Sequence, residues 1–417
     1  MNKRAAEEAR SSLKRMMFPS PMDLPFFEER HRRLALDLDA WAGTAIDNDI
    51  DRSATELDQA RAIGGALGEA GWFRLLVGDV ADASGLPDVR SLCIARETLA
   101  RHDGLADFVM ALQGLGSAPI LFSGSPEQRA AYMPRVISGE AFPAFALSEE
   151  EAGSDAASIQ TRAEKRSGEY VLNGSKMWIS NAGLADFYVV FARTGEAPGA
   201  RGISAFIVDA ETPGLSVSEQ IEVMAPHVIA ALRFEDCVVP QGRLIGRPGE
   251  GFKIAMGVLD VYRSSVGAAA LGFARRAFQE AIAHVRQRKL FGQKLSDFQA
   301  TQMRLADMAA DLEASAFFVY RAAWLKDTTG ERVTYQSSLA KMYSTEKAQG
   351  IIDSAVQLLG GAGLRKHSVL EKLYRQIRPL RIYEGATEIQ KLVIAGQLYR
   401  QWDDLEQLAQ DSSKTAT

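Results

Sequence analysis

The spacing of apolar residues changes character twice along this chain, and no other feature limits its fold as tightly. Up to about residue 140 they recur at helical spacing, as over 56–70 and 89–100. Pro19 and Pro21, then the stretches 78–87 and 123–126, punctuate these helices. Between about 141 and 247 the pattern becomes that of strands. Residues 187–192, 203–208 and 231–234 are short apolar runs, and Pro198, Pro213, Pro226, Pro240 and Pro248 break up the region. Residues 170–178 alternate around Asn173-Gly174, a strong hairpin signal. From about 251 helical spacing returns over 252–286, 299–325, 334–360 and 368–375.

The order predicts an α+β multi-domain protein with no internal repeat of fixed period. An N-terminal arm over 1–25 leads into an all-α domain over 26–140. A middle antiparallel β domain covers 141–247, a C-terminal helical bundle 248–403, and an acidic, Gln-rich tail with frayed last residues 404–417.

A chain of 417 residues, 47% hydrophobic and 24% charged, is globular and long enough for two or three cores. The net charge of -5 gives no general attraction to nucleic acid or to anionic lipid. Cys93 and Cys237 are the only cysteines, too few for a disulfide framework or a four-cysteine metal site. No stretch of about 20 uninterrupted apolar residues suggests a membrane span. The N-terminus lacks the apolar core of a secretion signal. The expectation is a soluble cytoplasmic protein with no metal and no membrane or nucleic-acid partner.

Five segments could carry chemistry. Phe145-Ala-Leu147-Ser148-Glu-Glu-Glu-Ala152-Gly153-Ser154-Asp155 opens the β region. Alone it reads as a turn capped by Ser and Asp; its small residues and hydroxyls would equally admit a ligand. Met177-Trp178-Ile179-Ser180-Asn181 sets a flat apolar face beside a hydroxyl, on a ligand or in a core. Arg286-Gln-Arg288-Lys289-Leu290-Phe291-Gly292, with Gln299 further on, is either a cationic helix end or a clamp on a diphosphate. Gln357-Leu-Leu-Gly360-Gly361-Ala-Gly363 is a helix end or a place where backbone amides approach a cofactor. It is not the glycine fingerprint of a nicotinamide site. Arg381-Ile-Tyr383-Glu384-Gly385-Ala386-Thr387-Glu388-Ile-Gln390 caps the last helix or holds a desolvated carboxylate suited to general-base work.

In this order, between Ala146 and Gln390, the five segments resemble the acyl-CoA dehydrogenase family, and the resemblance runs from about 25 to 400. It implies an N-terminal helical domain, a middle β-barrel or sandwich domain, a C-terminal four-helix bundle, and a homotetramer or homodimer. It implies FAD as cofactor, with Phe145, Leu147, Ser148, Trp178 and Ser180 lining the flavin ring. Arg288, Phe291, Gln357 and Gly361 would reach the FAD of a neighbouring subunit, Gln299 and Gly360 would also bind FAD, and Thr387 and Glu388 would sit by the adenosine diphosphate or flavin. Ser154, Asp260, Arg263 and Tyr383 match substrate contacts, and Glu384 matches the catalytic base. Where some branches carry that base on an earlier helix, this chain has Tyr262, a poor base at neutral pH.

The implied reaction is α,β-dehydrogenation of an acyl-CoA thioester to a trans-2-enoyl-CoA, with electrons leaving through an electron-transfer flavoprotein. An acyl-carrier-protein thioester is an alternative substrate. An oxidase or monooxygenase on the same scaffold is a rival reading, and a non-catalytic binding member a more distant one. Three departures stand out: Glu150 where the family has Pro, Ala386 after the Glu384-Gly385 pair, and the altered loop Met224-Ala-Pro-His227-Val. No Arg lies between His102 and Ile120 to hold a substrate carboxylate, which disfavours decarboxylating dicarboxylyl substrates.

Overall fold

A computed structural model of the chain describes residue 22 and residues 24–77 and 86–415. The expected arm falls almost wholly outside the described residues, as do Pro19, Pro21 and most of the stretch 78–87.

Among the described residues five α-helices build the N-terminal region: α1 (Glu29–Ala45), α2 (Glu56–Glu69), α3 (Val89–His102), α4 (Gly104–Ser123) and α5 (Pro126–Ser138). Their ends are written locally. Thr55, Asp88 and Asp103 accept hydrogen bonds from the first turns of α2, α3 and α4. Ser125 and Gln128 form a reciprocal cap on α5, with Pro126 as its first residue.

The middle region is a sheet of eight strands: β1 (Pro143–Ala146), β2 (Arg162–Arg166), β3 (Glu169–Ser180), β4 (Phe187–Arg193), β5 (Ile203–Asp209), β6 (Leu215–Gln220), β7 (Ile229–Pro240) and β8 (Leu244–Ile245). Their order is β6-β7-β3-β2-β4-β5-β8, with β1 beside β4. The pairing is antiparallel except that β1 and β2 each meet β4 in parallel, so the sheet is mixed. The continuous apolar run of β4 has a simple cause. Tyr188, Val190 and Ala192 pack into one core, and Phe187, Val189 and Phe191 into another on the opposite face.

The C-terminal region holds α6 (Gly251–Gln287), α7 (Gln299–Thr329), α8 (Thr334–Leu359), α9 (Val369–Leu380) and α10 (Thr387–Thr415). A small hairpin, β9 (Lys289–Leu290) and β10 (Gln293–Lys294), joins α6 to α7. A single apolar cluster runs through α1 to α4 and α6 to α9, so the two helical regions share one core.

Two expectations are corrected. Asn173-Gly174 is no turn: β3 runs through it, and the register with β7 shifts there as a bulge. The hairpin closes earlier, where Arg166 pairs with Glu169 around Gly168 at φ +78°. The tail beyond 403 continues α10 without a break to Thr415. By length and composition α4 and α6 could cross a bilayer, yet 83% of each apolar window is buried inside the protein. They are core helices of the shared cluster.

Candidate active site

Glu384 lies in the turn between α9 and α10 with φ +51°, a left-handed conformation that costs a non-glycine residue about 1–3 kcal/mol. The surrounding structure holds it there. Lys341 Nζ, from α8, donates to the Gly385 carbonyl at 2.8 Å, and Gln390 Nε2 donates to the same oxygen at 3.0 Å and to Glu384 O at 3.2 Å. Gly385, at φ +92°, has no room for a side chain, because a Cβ there would stand 2.2 Å from Gln390 Nε2. Glu346 braces both sides of the turn, accepting from Arg381 Nε at 2.8 Å and from Thr387 Oγ1 at 2.6 Å. Neither Glu384 nor Thr387 is a simple helix cap.

The Glu384 residue is partly open to solvent, but its Oε2 is buried and has no hydrogen-bond partner. Burial raises the carboxyl above its ordinary value, and Asp107 adds to this; Arg96, Lys341 and Arg263 pull the other way without cancelling it. Burial also lowers Lys341, to about 8, against the attraction of Glu384.

Arg96 of α3 is fully buried and paired in bidentate fashion with Asp107 of α4, Nε to Oδ1 at 2.9 Å and Nη2 to Oδ2 at 3.0 Å. Its third nitrogen donates to Ser265 Oγ at 3.0 Å. Asp260 and Arg263, one helical turn apart on α6, are both buried, and Asp260 accepts from Thr334 Oγ1 at 2.8 Å. Tyr262, between them in sequence, is 1% exposed and carries a hydroxyl with no partner. Burial, and then the Glu384 charge, push its phenol up, so it stays neutral and cannot serve as the base.

The two β-region motifs are joined. Met177 N donates to Ser148 O at 3.0 Å, and buried Lys176 donates to Leu147 O at 3.0 Å and to Glu149 Oε1 at 2.8 Å. Glu149 also takes the backbone N–H of Thr161, so it is a structural tie and adds no free charge to the site mouth; Glu150 is the exposed acid. At a second register shift of β3 Trp178 turns out at φ +61°, 54% exposed. Ser180 Oγ meets His227 Nε2 at 2.8 Å. That imidazole sits against the Phe108 ring, and burial lowers it to about 3, so it is neutral. Ser154 is exposed.

The third and fourth motifs share a cavity of about 550 Å³ lined by Arg288, Gln357, Gly360 and Gly361 together with His284 and Arg304. Phe291, at the tip of the β9–β10 hairpin, is 95% exposed with φ +50°. Gln299 is exposed at the start of α7 and does not line this cavity; Glu388 is exposed at the start of α10. Of six non-glycine residues with positive φ among the described residues, four fall on three of the motifs: Trp178 and Asn181 on one, Phe291 on another and Glu384 on a third.

Sequence reasoning missed Arg96, Asp107, Lys341 and His227. For Arg96 and Asp107 a signal existed: each is a charge on a helical face that is otherwise apolar. Lys341 lies among Ser337, Ser338, Ser344 and Thr345, a small polar face that hides it. Nothing in the sequence around His227 announces its contact with Ser180.

Three family profiles match: acyl-CoA dehydrogenase N-terminal domain over residues 28–140, middle domain over 144–237 and C-terminal domain over 249–399. This chain belongs to the acyl-CoA dehydrogenase family. It is 39% identical to the acyl-CoA dehydrogenase of Bacillus subtilis over 74% of its own length and 82% of that protein. An acyl-CoA dehydrogenase complexed with FAD from Bacillus anthracis superimposes with TM-score 0.84 at 30% identity, covering 94% of this chain and 70% of that one. A chain described under an electron transferring flavoprotein of Acidaminococcus fermentans superimposes with TM-score 0.83 at 34% identity, covering 91% and all of that chain.

The family is FAD-dependent, and the residues present suit that cofactor. The cavity offers cationic side chains beside Gly360 and Gly361, where an added Cβ would meet nothing within 4 Å, so the backbone is free to approach a diphosphate. Trp178 presents an open aromatic face next to the Ser180 hydroxyl for a flat ring.

Proposed function

We propose that this acyl-CoA dehydrogenase uses Glu384 to remove the α-proton of its thioester substrate. The observation that carries this reading is the buried, unpartnered Oε2 of Glu384, on a residue held at positive φ by Lys341 and Gln390 and with its carboxyl raised by burial. A carboxylate that has lost its water and has no fixed donor is a stronger base than an exposed one. The Glu384 backbone N–H and the rigid turn around Gly385 would meet the thioester oxygen as negative charge develops there. FAD, when bound, supplies the acceptor for the β-hydride. Tyr383, Arg263 and Asp260 would position the thioester, with Ser154 at the open edge; Phe145, Leu147, Ser148, Trp178 and Ser180 would hold the ring.

The exposed Phe291 and Leu290 and the open rim at Arg288, Gln357, Gly360 and Gly361 favour completion of the cofactor site by a second copy, in a homodimer or homotetramer. We assign the electrons to an electron-transfer flavoprotein, a choice supported by the likeness to the Acidaminococcus fermentans structure. Two free, buried thiols suit a reducing cytoplasm. Anaerobic mixing of the FAD-loaded protein with acyl-CoA, followed by air, tests the chemistry. Bleaching on mixing and slow reoxidation are expected; rapid reoxidation with peroxide release would make the protein an oxidase.

A further inference from the structure

The altered loop Met224-Ala-Pro-His227-Val, between β6 and β7, is clasped by three other elements. Arg375 Nη1 of α9 donates to Met224 O at 2.9 Å, and the His227 backbone N–H donates to Glu56 Oε2 of α2 at 3.1 Å. Val228 O accepts from Asn181 N, just past the end of β3, at 2.8 Å. These ties leave the His227 side chain little freedom. Its ring packs on Phe108 of α4 with centroids 3.6 Å apart, and its Nε2 meets Ser180 Oγ at 2.8 Å.

A serine hydroxyl is both donor and acceptor, and it rotates unless a partner fixes it. A neutral imidazole nitrogen can fix it in either role and sets no charge beside the ligand that the hydroxyl serves. Burial keeps the His227 imidazole in that neutral state. A direct role on the substrate does not fit the space. His227 lines a cavity with Asp107, Phe108 and Tyr383, but its volume of about 20 Å³ has room for about one or two waters and none for an acyl chain. What His227 does for the reaction must pass through Ser180.

We infer that His227 is a positioning residue for the cofactor, its Nε2 holding the Ser180 hydroxyl in the orientation that meets the flat ring of FAD beside Trp178. The inference rests on the reading that Ser180 lines that ring.

The test titrates FAD into apoprotein of the wild type, Ser180→Ala, His227→Phe, His227→Gln and the double variant Ser180→Ala with His227→Phe, reading flavin fluorescence and absorption. Phe keeps a ring against Phe108 and removes only the nitrogens; the Gln amide reaches about as far as Nε2. His227→Phe, with its apoprotein thermal midpoint checked, should weaken FAD binding by about fivefold, the worth of one hydrogen bond. It should also shift the visible flavin bands in the same direction as Ser180→Ala. His227→Gln should stay within about twofold of wild type, and in the Ser180→Ala background His227→Phe should change binding by less than about twofold. Unchanged FAD affinity in His227→Phe, an equal loss in His227→Gln, or the same loss with the Ser180 hydroxyl already removed overturns the inference and leaves Ser180 at the ring. If Ser180→Ala alters neither binding nor bands, Ser180 does not line the ring, and this inference falls with that reading.

Discussion

The turn that carries Glu384 and the rim that carries Arg288 handle charge in opposite ways. Around Glu384 most charges are tied, Arg96 to Asp107 and Lys341 to Gly385 in the interior and half-buried Glu346 to Arg381 and Thr387, while Arg263 Nε is buried without a partner. At the rim Arg288, Gln357, Gly360 and Gly361 are exposed around an open cavity, and Phe291 stands almost wholly in solvent. The first region is closed over by its own chain; the second is open, as the proposed second copy would require. Preorganisation is needed where charge develops during the reaction, and openness where a large dinucleotide must enter.

That contrast can be broken from the buried side first. Arg96→Ala leaves Asp107 as an uncompensated buried charge and should cost about 3–5 kcal/mol in urea unfolding. A loss under 1 kcal/mol would mean the pair is wetter than its burial indicates. Lys341→Met removes a donor to Gly385 and should cost about 1–3 kcal/mol. It also removes a cation that helps keep Glu384 ionised, so the base should gain its proton at higher pH. A base works only when deprotonated, so activity rises with pH through its titration, and the acid limb of kcat/KM should move upward in the variant. A downward or absent shift would separate Lys341 from the base. Smallest is the stability effect of Arg288→Ala, within about 0.5 kcal/mol because the side chain is exposed, though the same variant should lose FAD on gel filtration. If it retained FAD fully, the rim would not be a cofactor clamp.

The two regions also differ in how far the sequence disclosed them. Helix and strand periods located the three regions, and the double-sided burial of β4 follows from the unbroken run 187–192. Asn173-Gly174 misled because a bulge and a turn call for the same residues, and only the pairing partner on β7 distinguishes them. The continuation of α10 past 403 escaped notice because exposed, polar residues carry no core-facing stripe. The rim motifs were legible as neighbours of a helix end. Around the base, resemblance singled out Glu384 and Arg263, but not the pairing of Arg96 with Asp107, whose partners sit on different helices. Nor did it show that His227 would take the Ser180 hydroxyl from another loop. Long-range polar contacts of that kind have no local spacing to read.

The account turns on Glu384, and Glu384→Gln tests it most directly, because the substitution keeps the shape of the side chain and removes only its basicity. The measurement is the anaerobic rate of flavin bleaching by an acyl-CoA that the wild-type enzyme oxidises, with FAD content determined on the same samples. The account predicts full FAD content and a rate lower by about 10²–10⁴-fold. Bleaching near the wild-type rate at full FAD content would contradict it and place the base elsewhere.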